Sequence, residues 1–204
     1  MSKRWVMNNP LIQLKDISLS RNDKSIIRDM SLNVNSSSVL NIYGHNGSGK
    51  TTLLKILAGI TEPTSGEIIN NINQYGAFAY IGHKHGIKNN LTLNENLLYG
   101  DSEKFYDQNR IDKVIDTYNM SKYKNYLAKN LSHGQQKKIS LMKANISSSP
   151  IWVIDEPYSA LDKDSVSIVD QSICDHIKNE GAVIMSNHEL ITNKPFNIDN
   201  IEIN

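Results

Sequence analysis

The feature that most constrains this chain is a glycine-rich turn between two apolar segments of different character. The turn covers residues 44–52 and has the sequence GHNGSGKTT. Val39–Tyr43 before it has the continuous apolar pattern of a buried strand, and residues 53–58 after it have that of a helix. A turn of this kind opens directly onto a helix N-terminus, where backbone N–H groups and the helix dipole favour an anion. The pattern therefore predicts an α/β fold with a phosphate-binding loop.

The residue types in the loop fit a nucleoside triphosphate. Its glycines allow φ > 0 and a close approach of the backbone to phosphate oxygens. Lys50 would neutralise the β- and γ-phosphates, and the Thr51 hydroxyl would coordinate Mg²⁺. A Gly/Ser-rich loop can match this pattern by chance, and the flanking strand and helix argue against that alternative. The predicted nucleotide-binding residues are Gly44, His45, Asn46, Gly47, Ser48, Gly49, Lys50, Thr51 and Thr52.

Composition and charge narrow the class of protein further. At 204 residues the chain is long enough for one well-buried α/β domain. Its formal net charge is +1 with scattered Lys and Arg, so it lacks the basic stripe of a nucleic-acid binder. Cys174 is the only cysteine, which excludes an internal disulfide. The sequence has neither the roughly 18 to 20 apolar residues of a membrane span nor the apolar core of a signal peptide, so we expect a cytosolic location.

The apolar pattern changes along the chain in a way that predicts three structural parts. Residues 11–19 and 26–34 alternate in the manner of antiparallel strands joined by a turn at residues 21–23. A helical period occupies residues 92–128, after which strands and helices alternate again. We predict a mainly parallel core sheet, with the functional site at the carboxyl ends of its strands.

Two acidic residues follow the apolar run at residues 151–154. Asp155 and Glu156 therefore lie at the tip of a buried strand, where carboxylates are costly unless a cation or a proton-transfer role compensates. We predict that Asp155 holds the Mg²⁺ of the nucleotide and that Glu156 polarises an attacking water. The alternative is a helix-capping carboxylate followed by a solvated one.

Two further segments gain meaning only in combination with the others. Ser132, Gly134 and Gln135 form a second Ser/Gly turn before an amphipathic helix, which suits a phosphate but is also an ordinary helix cap. His188 follows the last predicted core strand, where it could contact the terminal phosphate or play a purely structural part.

In order and spacing these motifs resemble the nucleotide-binding subunits of ATP-binding cassette (ABC) transporters over nearly the whole chain. The matching segments are residues 44–52 (Walker A), 131–135 (signature), 151–156 (Walker B), 159–162 (D-loop) and His188 (switch histidine). The resemblance implies a P-loop NTPase fold of the ABC ATPase type, with an antiparallel β subdomain and a compact helical subdomain. It also implies one domain over residues 1–204, with the helical subdomain inserted at about residues 88–146.

The same resemblance implies a mechanism and an assembly. Two copies would form a head-to-tail homodimer, in which each ATP, with Mg²⁺, lies between the Walker A loop of one copy and Ser132, Gly134 and Gln135 of the other. Glu156 would be the general base and His188 would sense the γ-phosphate. Closing and opening of the dimer would drive integral membrane permease subunits.

Three positions depart from the usual pattern of this family. Arg21 stands where an aromatic ring commonly stacks on adenine, and His133 replaces a small signature residue. His83 occupies the position of a glutamine that contacts the Mg²⁺ site, so it is a candidate metal contact. The run around His83 is similar to that of the ATPases of cytochrome c maturation, which serve heme-handling membrane complexes. This likeness implies a peripheral protein on the cytoplasmic face of the inner membrane, and we expect no direct heme binding.

Other functions remain open at this point. The same ATPase could serve another exporter, and a soluble ABC protein of translation or DNA repair would have no membrane partner. A P-loop kinase or GTPase would leave the Ser132 turn and His188 without a role. The favoured hypothesis is an ATPase without nucleic-acid partners, which couples hydrolysis to heme export or to release of a heme-loaded chaperone.

Overall fold

Strands and helices alternate along most of the chain, as the sequence predicts. The computed structural model describes residues 9–22, 24–72, 76–82, 86–99 and 107–204. Its strands are β1 (Ile12–Arg21), β2 (Lys24–Val34), β3 (Val39–Tyr43), β4 (Ser65–Asn70), β5 (Phe78–Ile81), β6 (Ile151–Asp155), β7 (Ala182–Asn187) and β8 (Asp199–Glu202). Its α-helices are α1 (Lys50–Leu57), α2 (Leu93–Leu98), α3 (Gln108–Thr117), α4 (His133–Ile146) and α5 (Lys163–Lys178), with 3-10 turns at Ser121–Tyr123 and Ala128–Asn130.

The centre of the fold is a five-stranded sheet with the order β5-β6-β7-β3-β8. Each neighbouring pair in it is parallel, which confirms the prediction of an α/β fold with a mainly parallel core sheet. Every residue of β6 is buried, as expected for a continuous apolar strand covered on both faces. The carboxyl ends of β6, β7 and β3 therefore lie side by side, and the phosphate loop, Asp155, Glu156 and His188 lie at those ends.

A second sheet packs beside the first one through helix α1. Its three strands have the order β2-β1-β4 and are antiparallel, which confirms the predicted antiparallel part. Buried apolar residues of β1 and β2 share one core cluster with Leu53 and Leu54 of α1. The helix that begins at the phosphate loop is thus held between two sheets.

The helical period after residue 92 corresponds to helices that pack on α4. Helix α2 begins at a capping box, in which the Thr92 hydroxyl accepts from the Glu95 N–H and the Glu95 carboxylate accepts from the Thr92 N–H. Ile111 and Ile115 of α3 are buried in the same core cluster as Ile139 and Met142 of α4. The limits of a helical insertion at residues 88–146 stay a prediction.

Near the amino end of β6, a half-buried histidine is expected to make the stability of the fold depend on pH. The His176 ring stacks on Trp152 with 4.0 Å between the ring centroids, and its Nε2 lies 3.2 Å from the Pro150 carbonyl oxygen. Burial lowers the pKa of His176 from its usual value, more strongly than its hydrogen bonds raise it. The folded protein therefore favours the neutral ring.

We expect the free energy of unfolding to decrease as pH falls below about 6.5, the usual pKa of histidine. The folded pKa of His176 lies below the unfolded one, so its contribution is complete above pH 6.5 and is lost as pH falls towards the folded pKa. One such group changes the free energy of unfolding by at most about 1.4 kcal/mol per pH unit. Free energies of unfolding measured with urea between pH 5 and 8 should depend less steeply on pH in His176→Gln than in the parental protein. An unchanged slope, or an equal effect of His133→Gln at an exposed position, would contradict this assignment.

Candidate nucleotide-binding site

The phosphate loop joins the end of β3 to the start of α1, and at two of its glycines a side chain is disfavoured, by lack of space or by the backbone conformation. A Cβ on Gly44 would lie 2.2 Å from the carbonyl oxygen of Ile203. Gly49 is the N-cap of α1 and has φ 100°, in the left-handed region that favours glycine. Between them His45, Asn46 and Gly47 are exposed. The loop is therefore packed at both ends and open in the middle, where a ligand can approach.

Lys50 directs its ammonium group into this loop. The side chain is only 7% exposed, and Nζ donates to the carbonyl oxygens of Gly44 at 2.7 Å and of His45 at 2.9 Å. A positive charge is thus held within the curve of the loop by neutral acceptors. A phosphate oxygen would be a stronger, charged acceptor for the same group.

Ser48 provides a test of whether the loop fits a phosphate. Its hydroxyl is buried and has no hydrogen-bond partner among the described residues. Leaving a buried hydroxyl unpaired is costly, and such groups are normally satisfied by the protein, water or a ligand. The unpaired Ser48 hydroxyl, the Lys50 ammonium and the N-terminus of α1 together fit an anionic phosphate group.

The structure brings the two residues predicted to hold Mg²⁺ into contact. Thr51 donates its hydroxyl proton to one carboxylate oxygen of Asp155 at 2.8 Å, and Ser186 donates to the other oxygen. Asp155 is 3% exposed at the end of β6. A buried carboxylate that accepts from two hydroxyls, beside a phosphate loop, has the oxygen ligands that Mg²⁺ prefers.

The two predicted catalytic side chains also lie together. His188 Nε2 is 3.0 Å from a carboxylate oxygen of Glu156, and their side chains are 55% and 21% exposed. The Glu156 backbone has φ 50°, which is unusual for a residue with a side chain, and its N–H donates to the Ser186 hydroxyl at 3.1 Å. A carboxylate and an imidazole next to the phosphate loop can accept and move a proton there.

Sequence reasoning missed a buried lysine behind these carboxylates. Lys137 of α4 is 1% exposed, and its Nζ donates to the backbone carbonyl oxygen of Asp155 at 2.8 Å. Burial lowers the pKa of Lys137 to about 8, although the charges of Asp155 and Glu156 act in the opposite direction. The available signal was its helical spacing from Leu141 and Ala144, which are both buried.

A buried asparagine in the middle of the sheet was missed as well. Asn41 of β3 is 0% exposed; it accepts from the Asn187 amide at 2.7 Å and donates to Asn200 at 2.7 Å. These amides link β7, β3 and the edge strand β8 directly before His188. Such a network fixes the end of β7 only because all its members are satisfied. A single polar residue inside an otherwise apolar strand was the available signal.

The Ser132 turn faces a different part of the surface. Ser132 caps α4 and forms a capping box with Gln135, and a Cβ on Gly134 would lie 2.5 Å from the Ala160 carbonyl oxygen. A cavity of about 340 Å³ is lined by Asn119, Met120, Lys122, Tyr123, Ser132, Gly134, Gln135, Lys138, Ala160, Leu161, Asp162 and Ser165. In the part of the chain that the structure describes, this lining contains no residue of the phosphate loop. The predicted metal contact His83 lies outside the described residues.

Comparison with known protein families identifies the class to which this fold and phosphate loop belong. Residues 27–159 match the family model described as ABC transporter, which is more than half of the chain. A solved structure from Pyrococcus furiosus, described as an ABC transporter ATP-binding protein, has a TM-score of 0.81 at 26% identity. The match covers 94% of this chain and 96% of the Pyrococcus furiosus chain. The chain therefore belongs to the ABC transporter family, as one of its ATP-binding and ATP-hydrolysing members.

Its relatives include cytochrome c biogenesis ATP-binding export proteins named CcmA. The protein from Mannheimia succiniciproducens is 32% identical over 206 residues, which is 93% of each chain. The one from Colwellia psychrerythraea is also 32% identical and covers 100% of this chain and 96% of its own. No helix among the described residues is long and apolar enough to cross a bilayer.

Proposed function

We propose that this protein is the ATPase subunit of a membrane complex for cytochrome c biogenesis. The observation that best supports the proposal is the meeting of four predicted site residues at one edge of the sheet. Thr51 lies 2.8 Å from Asp155 and Glu156 lies 3.0 Å from His188, at the ends of neighbouring strands. The biosynthetic role is inferred from the printed names of the relatives.

In this proposal the chain's own residues divide the work of hydrolysis. Residues 44–52 bind the phosphates through backbone amides and Lys50. Glu156 accepts a proton from the attacking water, and His188 contacts the terminal phosphate and restrains the Glu156 carboxylate. Thr51 and Asp155 would hold Mg²⁺, with His83 a further candidate contact, and the ion would offset charge on the β- and γ-phosphates.

We infer that the complete site needs a second copy of the chain. Within one chain, Ser132, Gly134 and Gln135 line a cavity with Asp162 rather than with the phosphate loop. A head-to-tail homodimer would place this turn of one copy over the nucleotide of the other. The capped N-terminus of α4 would then contribute N–H donors to the partner-bound phosphate.

The proposed membrane partner is a pair of permease subunits, with the ATPase bound peripherally on the cytoplasmic face. ATP-driven closure of the dimer would move the permeases and so drive heme export or the release of a heme-loaded chaperone. Direct binding of heme by the ATPase is not part of the proposal.

The test is purification of a tagged chain from the membranes of its source organism. We expect integral membrane proteins to co-purify with it, and we expect a strain in which Glu156→Gln replaces the parental chain to lose most c-type cytochromes in a heme stain. The variant should still recover the same membrane partners, because the substitution removes one proton acceptor and no surface. Recovery only with ribosomes or DNA, or normal cytochrome content in the variant strain, would contradict the proposal.

A further inference from the structure

The peptide group between Asp155 and Glu156 is held from both sides by side chains of two other elements. Its carbonyl oxygen accepts from Lys137 Nζ at 2.8 Å, and its N–H donates to the Ser186 hydroxyl at 3.1 Å. Lys137 belongs to α4 and Ser186 to β7. With both polar atoms of the group bonded in fixed directions, the peptide plane cannot rotate without breaking one of these hydrogen bonds.

The orientation of this peptide determines where the Glu156 side chain points. Glu156 follows the last residue of β6 and has φ 50°, a conformation that costs free energy for any residue with a Cβ. Such a conformation persists only where its surroundings fix it. The Lys137 and Ser186 hydrogen bonds are two contacts that can do so, and the Glu156 carboxylate then lies 3.0 Å from His188.

The burial of Lys137 indicates that its ammonium group has a specific task. Its side chain is 1% exposed, and an apolar residue of similar size would fill the same space without the cost of removing a charge from water. Its Nζ donates to a backbone oxygen and is attracted by the nearby charges of Asp155 and Glu156. Lys137 also lies on the helix that Ser132 caps, a little more than one turn from that cap.

We propose that Lys137 is a positioning residue for Glu156 and couples the general base to the helix that carries Ser132 and Gly134. The inference rests on the proposed function, in which Glu156 accepts the proton and the Ser132 turn binds the nucleotide held by a second copy. A movement of α4 on nucleotide binding is transmitted through Lys137 Nζ to the Asp155–Glu156 peptide. The general base is thereby aligned when the partner's nucleotide is in place.

The first test is the Lys137→Met variant, which keeps the length of the side chain and removes the donor. We expect kcat for ATP to fall about 10- to 100-fold while KM and the affinity for ATP change less than about threefold. Lys137→Arg, which retains charged N–H donors, should restore at least part of kcat. The matched control is Lys143→Met, which removes another α4 lysine whose Nζ donates to a carbonyl oxygen, that of Gly86. Equal losses in the two Met variants, or a loss confined to KM, would overturn the proposal.

The second test combines Lys137→Met with Glu156→Gln. If Lys137 acts through Glu156, the double variant should hydrolyse ATP at the same residual rate as Glu156→Gln alone. A further 10-fold loss would show that Lys137 acts elsewhere and would refute the inference. If Lys137→Met is recovered unfolded, Lys137→Gln replaces it, because its shorter side chain also leaves the Asp155 carbonyl without its donor. A parental rate in Glu156→Gln itself would instead refute the proposed function, so the two failures are distinct.

Discussion

Glu156→Gln is expected to lower the rate of ATP hydrolysis by about 10²- to 10⁴-fold, the usual contribution of a general base. The substitution keeps the shape of the side chain and its contact with His188, but an amide cannot accept the proton of an attacking water. Asp155, Thr51 and the phosphate loop are unchanged, so ATP should bind with near-parental affinity. Nucleotide that is bound but not hydrolysed should accumulate the closed dimer, measurable by size-exclusion chromatography with light scattering in the presence of ATP and Mg²⁺.

Two comparisons make this expectation specific. Glu189→Gln changes an exposed carboxylate near His188 and should leave both the rate and the dimer fraction unchanged. Adding Ser132→Arg to Glu156→Gln should abolish the ATP-dependent dimer, because the bulky side chain occupies the turn proposed to cover the partner's nucleotide. A dimer that persists in this double variant would place the interface elsewhere.

Lys50→Ala is expected to weaken ATP binding by about 30-fold or more, which corresponds to at least about 2 kcal/mol. The ammonium of Lys50 is buried within the loop, where a phosphate would be its charged acceptor. Its loss also leaves the carbonyl oxygens of Gly44 and His45 without this donor and facing the phosphates. Titration of a fluorescent ATP analogue measures the affinity directly.

Lys55→Ala supplies the control for this measurement. Lys55 lies on the same helix in its last turn, outside the phosphate loop, and its removal changes the net charge equally. It should leave the affinity within about twofold. Parental affinity in Lys50→Ala would mean that the loop does not bind the triphosphate, and an equal loss in Lys55→Ala would attribute the effect to helix stability or to net charge.

The parts of the fold that were predictable from sequence are those that local pattern determines. The glycine-rich turn and the apolar run before Asp155 identify β3, α1 and β6, because burial on both faces requires continuous apolar residues. Strand β8 was not predictable in this way. Its sequence DNIE is half-charged and largely exposed, and it is a strand because its backbone pairs with β3.

Within the site, motifs indicated which residues take part but not what holds them. Asp155, Glu156 and His188 stand out in sequence because acidic and histidine side chains at strand ends suggest chemistry. Lys137 does not, since a polar residue in an amphipathic helix is ordinarily assigned to a solvent-exposed face. Asn41 is a single polar residue in an otherwise apolar strand, but the sequence does not show which side chains satisfy its amide. The burial of Lys137 and Asn41 depends on the position of α4 against β6 and of β8 against β3, which is a property of the assembled fold.

Strand β8 has a consequence for the order of events during protein synthesis. It contributes Asn200, which satisfies the Asn41 amide, and is followed by Ile203, whose carbonyl oxygen lies against Gly44. Both contacts come from residues that the ribosome adds about 150 residues after the phosphate loop. A nascent or truncated chain without residues 199–203 lacks the β8 partner of β3, the shorter of the two hydrogen bonds of the Asn41 amide, and the Ile203 contact at the base of the loop. The base of the phosphate loop is therefore completed only after residues 199–203 have been synthesised.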